Sequence, residues 1–239
     1  MKIDLFVNRA ELETLTIEKH QTAVIIDVLR ATTTMLVAFA NGVNSIIPVA
    51  TVEEARQRAG EINSSEILLG GERNETIIEG FDLSNSPLEY VSGRVKGKSI
   101  IFTSTNGSQL FKYAAAAAKA VICSFLNISK VSEFLIQESG HVAILCAGKY
   151  SQFAIEDVVC GGMLIQKIAQ KSSLQLNDGA QAALKLYQVY ADDLFKMLRQ
   201  CTHGKRLIEI GQEQDLRQSA VVDSVPIVPV WQNGQIVAP

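Results

Sequence analysis

The sequence predicts an α/β protein in three layers, with a largely parallel or mixed sheet covered by helices on both faces and a helix-rich C-terminal third. Apolar strand-like runs alternate with segments of helical spacing over the first two-thirds of the chain. Residues 23–26 are apolar at every position, a pattern typical of a parallel strand buried on both faces. After about Ala154 helical spacing dominates. These observations favour one α/β domain spanning residues 1–239.

Seven strands are expected from the apolar runs. They lie at residues 3–7, 23–28, 45–49, 67–69, 99–103, 121–125 and 142–146. A helix is expected at 32–41, where Gly42 would end it, because glycine suits the position after a helix. Thr51 would cap a second helix at 52–62. An alanine run favours another helix after Asn106.

The C-terminal third is expected to contain three helices and one extended segment. The helices lie at 155–170, 178–190 and 192–201. Residues 224–231 alternate prolines with apolar residues. This pattern predicts an edge strand or an extended arm, because proline cannot donate a hydrogen bond within a central ladder.

The composition of the 239-residue chain excludes several classes of function. Its net charge of −3, without a long basic block, argues against a nucleic-acid surface. No apolar run approaches the roughly 20 residues that span a bilayer, and residues 1–6 lack the features of a secretory signal. Four scattered cysteines indicate buried thiols rather than a zinc site or disulfides. We therefore expect a cytoplasmic protein that binds neither membranes nor nucleic acids.

The first chemical motif runs from Asp27 to Thr34, at the end of a buried strand. In open parallel sheets, ligands bind beyond the carboxyl ends of the strands. There Asp27 could hold a divalent cation, and Arg30 could bind two oxygens of an oxyanion. The hydroxyls of Thr32, Thr33 and Thr34 would lie at a helix N-terminus, which favours a phosphorylated ligand. The alternative is a local ion pair between Asp27 and Arg30, with Thr32 as a helix cap.

Two motifs would add acidic groups to the same edge of the sheet. Gly70-Gly71-Glu72-Arg73 supplies a carboxylate and an arginine after glycines that allow close backbone approach. The alternative for this motif is an exposed loop. Residues 81–89 place Asp82 in a polar turn before a helix that Pro87 could begin, with Ser86 as a plain N-cap.

A loop rich in hydroxyls and amides follows the strand at 99–103. Its candidate substrate ligands are Thr103, Ser104, Thr105, Asn106, Gly107 and Ser108. Such a loop can form an anion-binding nest, although it lacks the lysine and spacing of a nucleotide-hydrolysing P-loop. Farther along, Glu156 and Asp157 open a helix, where carboxylates also serve to offset the helix dipole. Asp223 is a more distant acidic candidate.

The nucleophile motifs of common phosphatases are absent from the sequence. It contains no Asp-x-Asp pair at a strand end, no Cys-x5-Arg loop and no Arg-His-Gly motif. His20, His141 and His203 are isolated in the sequence. We expect each of them to be structural or exposed rather than catalytic.

Five motifs in order along the chain resemble the 2-phosphosulfolactate phosphatase family. They are Asp27 to Thr34, Gly70 to Arg73, Phe81 to Pro87, Thr105-Asn106-Gly107, and Cys146-Ala147-Gly148 followed by Glu156-Asp157. The resemblance implies a magnesium-dependent acid phosphatase on an α/β/α sandwich. Its reaction would convert 2-phosphosulfolactate to 3-sulfolactate and phosphate, a step of coenzyme M biosynthesis.

On this resemblance we expect the following roles. Asp27, Glu72 and either Asp82 or Asp157 would hold Mg²⁺, while Arg30, Arg73 and the loop 103–108 would bind the anionic groups of the substrate. The catalytic set would be Asp27, Arg30, Glu72 and Arg73.

Several alternatives stay open from the sequence. Water could attack the phosphoryl group directly, or a carboxylate could be phosphorylated first. The substrate could be another small phosphorylated hydroxy acid, or the chain could bind an organic phosphate or sulfonate without turnover. The number of acidic residues favours catalysis, since a binding protein needs arginines and helix N-termini but not a carboxylate cluster. The extended proline-containing end and the apolar helical third suggest a homodimer.

Overall fold

The structure is a computed structural model, and it describes residues 1–13, 21–62 and 66–238. Within these ranges one sheet contains eleven strands. In chain order they are β1 (Lys2–Phe6), β2 (Gln21–Ile26), β3 (Ser45–Pro48), β4 (Ile67–Arg73), β5 (Thr76–Ile77), β6 (Ser99–Thr103), β7 (Lys119–Cys123), β8 (His141–Cys146), β9 (Gln175–Leu176), β10 (Val230–Gln232) and β11 (Gln235–Val237). Each of the seven predicted strands coincides with one of these, which confirms the α/β class.

The described residues also form eleven α-helices and three short 3₁₀ turns. The helices are α1 (Arg9–Leu12), α2 (Ala31–Ala40), α3 (Val52–Ile62), α4 (Ser92–Val95), α5 (Phe111–Ala114), α6 (Ile128–Glu138), α7 (Ile155–Ala169), α8 (Asp178–Tyr190), α9 (Leu194–Gln200), α10 (Thr202–Glu209) and α11 (Glu213–Ser219). The predicted helices at 32–41, 52–62, 155–170 and 178–190 are confirmed within a residue or two. The prediction at 192–201 corresponds to α9, which begins two residues later because Asp193 caps it.

The sheet consists of two parallel blocks joined by a hairpin. The strand order is β5-β4-β6-β3-β11-β10-β7-β2-β8-β1-β9. Strands β3, β6 and β4 are parallel to one another, as are β7, β2, β8, β1 and β9. The hairpin β10–β11 is antiparallel to both of its neighbours. Three successive antiparallel pairings therefore separate β7 from β3. The strands of one block run opposite to those of the other along the sheet, so the sheet is mixed.

The prediction of an edge strand at 224–231 is wrong in its location, because β10 lies in the middle of the sheet. The prolines are compatible with a central strand because they precede the residues that form its ladder of hydrogen bonds. Pro229 contributes only its carbonyl oxygen, which accepts a hydrogen bond from Ile122 N at 3.3 Å. The residues before β10 run without regular secondary structure, as the extended-arm alternative predicted.

The predicted helix through the alanine run is also wrong beyond its first turns. A 3₁₀ turn at Gly107–Leu110 leads into α5, which ends at Ala114. Ala118 N instead donates to Gln21 O at 2.9 Å, one residue before β7 begins. Sheet pairing has overridden the helical propensity of alanine, which is worth less than about 1 kcal/mol per residue.

Helices cover both faces of the sheet, as the three-layer prediction requires. In β2, Val24 and Ile26 belong to the hydrophobic core that contains α7 and α8. Ala23 and Ile25 point to the opposite core, which contains α2. This alternation follows from the period of two along a strand.

Helix α2 is the structural centre of the molecule. Eight of its ten residues are buried. Its core includes Ile25 from one parallel block together with Ile100 and Phe102 from the other. The turn that opens α2 is therefore enclosed by loops from both blocks.

Two expectations from composition can be compared with the structure. Among the described helices, none combines the length and the apolarity needed to cross a membrane. The four cysteines Cys123, Cys146, Cys160 and Cys201 are free and buried, which confirms the expectation of buried thiols.

Candidate active site

A small polar pocket lies beyond the C-terminal end of β2, and we call it the inner pocket. Its lining residues are Asp27, Leu29, Arg30, Glu72, Glu75, Asn85, Thr105, Asn106, Tyr150 and His203. They come from the loops after β2, β4, β6 and β8, from residue 85 and from α10. Its cavity volume is only about 10 Å³.

Asp27 forms the buried end of this pocket. Gly107 packs directly against it, and a Cβ atom at position 107 would lie only 2.4 Å from Asp27 Oδ2. Burial raises the pKa of Asp27 from its ordinary value of 3.8 to about 6; the charge of His203 lowers this pKa, and that of Glu72 raises it. Asp27 therefore exchanges a proton closer to neutrality than an exposed carboxylate does.

Glu72 reaches the pocket from the end of β4. Its Oε1 accepts a hydrogen bond from Thr105 N at 2.7 Å, and its Oε2 accepts from Glu75 N at 2.9 Å and Thr105 Oγ1 at 3.1 Å. The preceding Gly71 has φ = 133° and lies against Thr103, whose carbonyl oxygen would be 1.8 Å from a Cβ atom at position 71. Only glycine permits this close approach of β4 and the β6 loop.

Arg30 is held by a helix that the sequence did not connect to it. Its Nη1 donates to Asp215 Oδ2 in α11 at 2.7 Å, and both side chains are 1% exposed. Gln212 Oε1 accepts from the same nitrogen. The local ion pair considered for Asp27 and Arg30 is therefore replaced by a long-range pair. The Leu29–Arg30 peptide bond is cis.

Ser86 completes the surroundings of this ion pair. It occupies the N-cap position of the 3₁₀ turn Pro87–Glu89 but makes no capping hydrogen bond. Its hydroxyl donates to Asp215 Oδ1 at 2.6 Å instead. The prediction of Ser86 as a plain N-cap is therefore wrong in its partner, since the buried Asp215 carboxylate is the stronger acceptor.

The three threonines of the first motif do not line the inner pocket. Thr32 Oγ1 donates to Asp27 O at 2.9 Å, Thr33 Oγ1 to Val28 O at 2.8 Å and Thr34 Oγ1 to Asn85 O at 2.8 Å. All three residues are buried. The structure thus uses the hydroxyls of Thr32 and Thr33 to hold the turn between β2 and α2, and that of Thr34 to connect α2 to Asn85. Arg30, rather than Thr32, occupies the N-cap position of α2.

Arg73 and most of the loop 103–108 also have protein partners outside the pocket. The guanidinium of Arg73 donates to Glu72 O, Ala50 O and Thr103 Oγ1 at 2.8 to 3.1 Å. Ser104 and Ser108 bind each other through reciprocal bonds from backbone N to Oγ, each 3.0 Å long. Thr105 and Asn106 are the residues that this loop contributes to the pocket lining.

The four carboxylates expected to hold a metal ion do not meet at one point. Asp82 is exposed and accepts from Leu69 N at 2.8 Å. Asp157 binds two backbone groups, Val28 N at 2.8 Å and Gly148 N at 3.1 Å. Within residues 1–13, 21–62 and 66–238, no group of three or more His, Cys, Asp or Glu side chains is placed to hold a metal ion. Of the four, Asp27 and Glu72 line the pocket.

Asp157 still has a clear role in the geometry of the site. It connects the end of β2 to the turn after β8, because its two oxygens bind one backbone N–H from each. Burial, with added repulsion from Asp27, raises the pKa of Asp157 well above its ordinary value.

His203 is a pocket residue that sequence reasoning missed. It is 8% exposed and lies in the first turn of α10, with Nδ1 3.4 Å from Glu156 Oε1. Burial opposes ionisation of Glu156, but the hydrogen bond from His203 and the histidine's charge keep the pKa of Glu156 below its ordinary value. His203 follows a helix rather than a strand, so the strand-end rule could not identify it. The structure alone shows why glycine follows His203, since a Cβ atom at position 204 would lie 1.7 Å from Leu198 O.

The other two isolated histidines have different outcomes. His141 lies on β8, with Nε2 2.7 Å from Asp4 Oδ2, and does not line the inner pocket. This agrees with a structural role. His20 lies outside the described residues.

Asn85 is a second pocket residue that the sequence did not single out. Its side chain is buried, and Asn85 Oδ1 has no hydrogen-bond partner among the described residues. Buried amide oxygens are rarely left without a partner, so this atom indicates the place of a ligand or an ion. Glu75 and Tyr150 complete the lining on the outer side and were also missed.

Comparisons with known proteins agree with the motifs. A profile of the family described as 2-phosphosulpholactate phosphatase matches residues 8–234. A protein of Symbiobacterium thermophilum named probable 2-phosphosulfolactate phosphatase is 41% identical over 216 residues, which are 90% of this chain and 93% of that protein. A protein of Clostridium acetobutylicum with the same name is 38% identical over 237 residues, 99% of this chain and 100% of that protein.

Proposed function

The chain belongs to the 2-phosphosulfolactate phosphatase family, and on that premise we propose that it hydrolyses 2-phosphosulfolactate to 3-sulfolactate and phosphate. The observation that carries the proposal is the inner pocket, which combines a buried arginine, three carboxylates and a buried amide oxygen without a partner. Such a set suits a phosphoryl group accompanied by a cation. In the family context the product would enter coenzyme M biosynthesis.

We propose Mg²⁺ as the cation, and the residues present fit it. Mg²⁺ is bound through one or two carboxylates, water and substrate phosphate rather than by a complete protein cage. Asp27 and Glu72 would supply the carboxylates, and Asn85 Oδ1 would supply a neutral oxygen. When bound, the ion would offset the repulsion between the carboxylates, polarise the phosphoryl group and lower the pKa of a bound water.

Arg30 would stabilise the negative charge on the transferring phosphoryl group. Asp215 and Gln212 hold its Nη1 in place, so its guanidinium needs little rearrangement when substrate binds. Preorganised donors of this kind are worth about 3 to 4 kcal/mol of transition-state stabilisation.

His203 would donate a proton to the oxygen that leaves with the sulfolactate product. Its Nδ1 lies 3.4 Å from Glu156 Oε1, a contact that fixes the orientation of the ring. A positioned general acid of this kind contributes roughly 10²- to 10⁴-fold in rate. Direct attack by water and phosphorylation of a carboxylate are the two routes. A single turnover with substrate radiolabelled in its phosphoryl group, quenched with acid, distinguishes them, because only the second route leaves label bound to the protein.

Phosphate release from a substrate panel tests the proposed activity. We expect a higher kcat/KM for 2-phosphosulfolactate than for 2-phospholactate or phosphoglycolate, and loss of release when a chelator removes Mg²⁺. Equal values across the panel would point to another small phosphorylated hydroxy acid as substrate. Binding without phosphate release under any divalent metal would point to a sensor of organic phosphates or sulfonates. The homodimer and the cytoplasmic location stay predictions; sedimentation and cell fractionation test them.

A further inference from the structure

A larger cavity adjoins the inner pocket on the solvent side, and we call it the outer cavity. Its volume is about 450 Å³, and three of its lining residues are cationic: Lys149, Lys205 and Arg206. Glu75 and Tyr150 line both cavities. The two spaces are therefore neighbours separated by these two side chains.

Because the inner pocket is small, part of the substrate must lie outside it. That pocket is much the smaller of the two, with a cavity volume of about 10 Å³ against about 450 Å³ for the outer cavity. A three-carbon acid carrying phosphate, carboxylate and sulfonate is much larger than the inner pocket, so the groups remote from the phosphate must extend past Glu75 and Tyr150.

A second neighbouring cavity is less suited to an anion. It has a volume of about 310 Å³ and shares Tyr150 and His203 with the inner pocket. Much of its wall is apolar, with Phe153, Ala154 and Ile155 in its lining. Charged groups lose solvation against this apolar part of the wall, and Lys149 is the one lysine or arginine among the lining residues, against three in the outer cavity. The cationic outer cavity is the better place for a sulfonate or carboxylate.

Two of the three cations are held by one carboxylate. Lys149 Nζ lies 2.9 Å from Glu75 Oε1, and Arg206 Nε lies 3.7 Å from Glu75 Oε2. Arg206 Nη1 also lies 3.4 Å from Glu209 Oε2. An ammonium group has three donors and a guanidinium has five, so these contacts together still leave N–H groups for an anion. Glu75 thus keeps the two cations close to each other at the entrance to the inner pocket.

The backbone around these side chains forms two tight two-residue turns. Arg73 pairs with Thr76 across the first turn and Lys149 with Gln152 across the second. The central residues are left-handed, with φ of 53° and 63° at residues 74 and 75 and of 50° and 60° at residues 150 and 151, as such turns require. The two turns face each other, and Tyr150 OH lies 3.5 Å from Asn74 Oδ1.

We infer that Lys149 and Arg206 form the subsite for the second anionic group of the substrate, a sulfonate or a carboxylate, and that Glu75 is their positioning residue. This inference rests on the proposed function, because it assumes that the phosphoryl group occupies the inner pocket. If so, the outer cavity, rather than the buried end of the inner pocket, discriminates between substrates.

Lys149→Gln and Arg206→Gln test the subsite. The readout is the ratio of kcat/KM for 2-phosphosulfolactate to kcat/KM for ethyl phosphate, which lacks both other anions. Each variant is expected to lower this ratio by about 10- to 100-fold, mainly through KM, since a hydrogen bond to a charged group is worth about 1.5 to 3 kcal/mol. Arg199→Gln is the matched control, because Arg199 is an exposed cation paired with Glu213 away from both cavities.

Two further measurements complete the test. 2-Phospholactate, which lacks the sulfonate, identifies the bound group: an equal loss assigns the carboxylate, and a much smaller loss assigns the sulfonate. Glu75→Gln is expected to raise KM for 2-phosphosulfolactate with little change in kcat, whereas a purely structural role would lower activity on every substrate. An unchanged ratio in both cation variants, or a ratio lowered equally by Arg199→Gln, would overturn the inference.

Binding of 3-sulfolactate separates failure of the subsite from failure of the proposed function. Calorimetry on the wild type and the cation variants needs no turnover. If the wild type binds 3-sulfolactate, the variants do not, and no phosphate is released, the subsite stands and the proposed hydrolysis fails. If phosphate is released and the variants bind 3-sulfolactate as the wild type does, the subsite fails alone.

Discussion

The floor of the inner pocket and its mouth are built in opposite ways. The floor is the turn from Asp27 to Thr34, where the arginine is paired within the protein and the threonine hydroxyls bind carbonyl oxygens. The mouth is formed by Glu75 and Tyr150, and the partly exposed Glu75 is paired there with Lys149 and Arg206. A fixed floor suits electrostatic stabilisation of the reacting group, while the more exposed mouth lies where substrate must enter.

The largest effect is expected from the ion pair beneath the floor. Asp215→Asn leaves the Arg30 guanidinium buried without its counter-charge. Removing one partner of a buried pair costs about 3 to 5 kcal/mol, and we expect that loss in the free energy of unfolding measured with urea. Glu213 is the control, because it lies on the same helix as Asp215 and makes an exposed ion pair with Arg199. Glu213→Gln should lower the free energy of unfolding by less than about 1 kcal/mol. Equal losses of stability in the two variants would mean that the buried ion pair beneath the floor stabilises the fold no more than the exposed pair does.

The second expected effect is a gain in the free energy of unfolding rather than a loss. Asp27→Asn should abolish phosphate release but stabilise the metal-free protein at pH 8. The folded-state pKa of Asp27, about 6, lies above its ordinary value of 3.8. Ionisation is therefore less favourable in the folded state, and the wild type loses stability as pH rises from about 4 to about 6. The loss amounts to at most about 3 kcal/mol.

Urea unfolding in the presence of a chelator checks this sign. The wild type and Asp27→Asn should have similar stabilities near pH 4, and the variant should become the more stable protein above pH 6. A variant that is less stable than the wild type at pH 8 would contradict the expectation and would mean that the ionised carboxylate stabilises the fold.

A smaller effect distinguishes a structural from a substrate-binding hydroxyl. Thr33→Val removes the bond to Val28 O, and we expect about 1 to 2 kcal/mol less stability with KM little changed. Thr76→Val is the comparison near the mouth, where the hydroxyl is exposed and its bond to Asn74 O is 3.4 Å. That change should stay within about 0.5 kcal/mol. A higher KM without loss of stability in Thr33→Val would restore the substrate-binding role predicted from the sequence.

Much of the fold could be predicted because its signals are local. Apolar runs located the strands of both parallel blocks, and the strand-end rule brought Asp27 and Glu72 to the same pocket. The alanine run shows the limit of local propensity, since pairing of Ala118 with Gln21 ended the helix early. The central position of β10 was missed because it depends on strands more than one hundred residues away in sequence.

The site was less predictable because its side-chain partners are distant in sequence. Arg30 and Thr33 looked suited to an anion, but whether a donor faces a ligand or the protein depends on what packs against it. Asp215 and His203 come from the helical third, where no strand end marks them and no spacing connects them with Asp27. Asn85 stood within a recognised motif, yet only its buried oxygen without a partner distinguishes it.

The hairpin β10–β11 has a consequence for how the molecule is made. Translation adds residues 230–237 after every strand that they connect, yet they alone join β3 to β7 in the described sheet. Until the hairpin emerges, the nascent chain carries two half-sheets with open inner edges, which are templates for pairing with other chains. Closure of the sheet is therefore a late event in biosynthesis, and a chain interrupted before Val230 would keep both edges exposed.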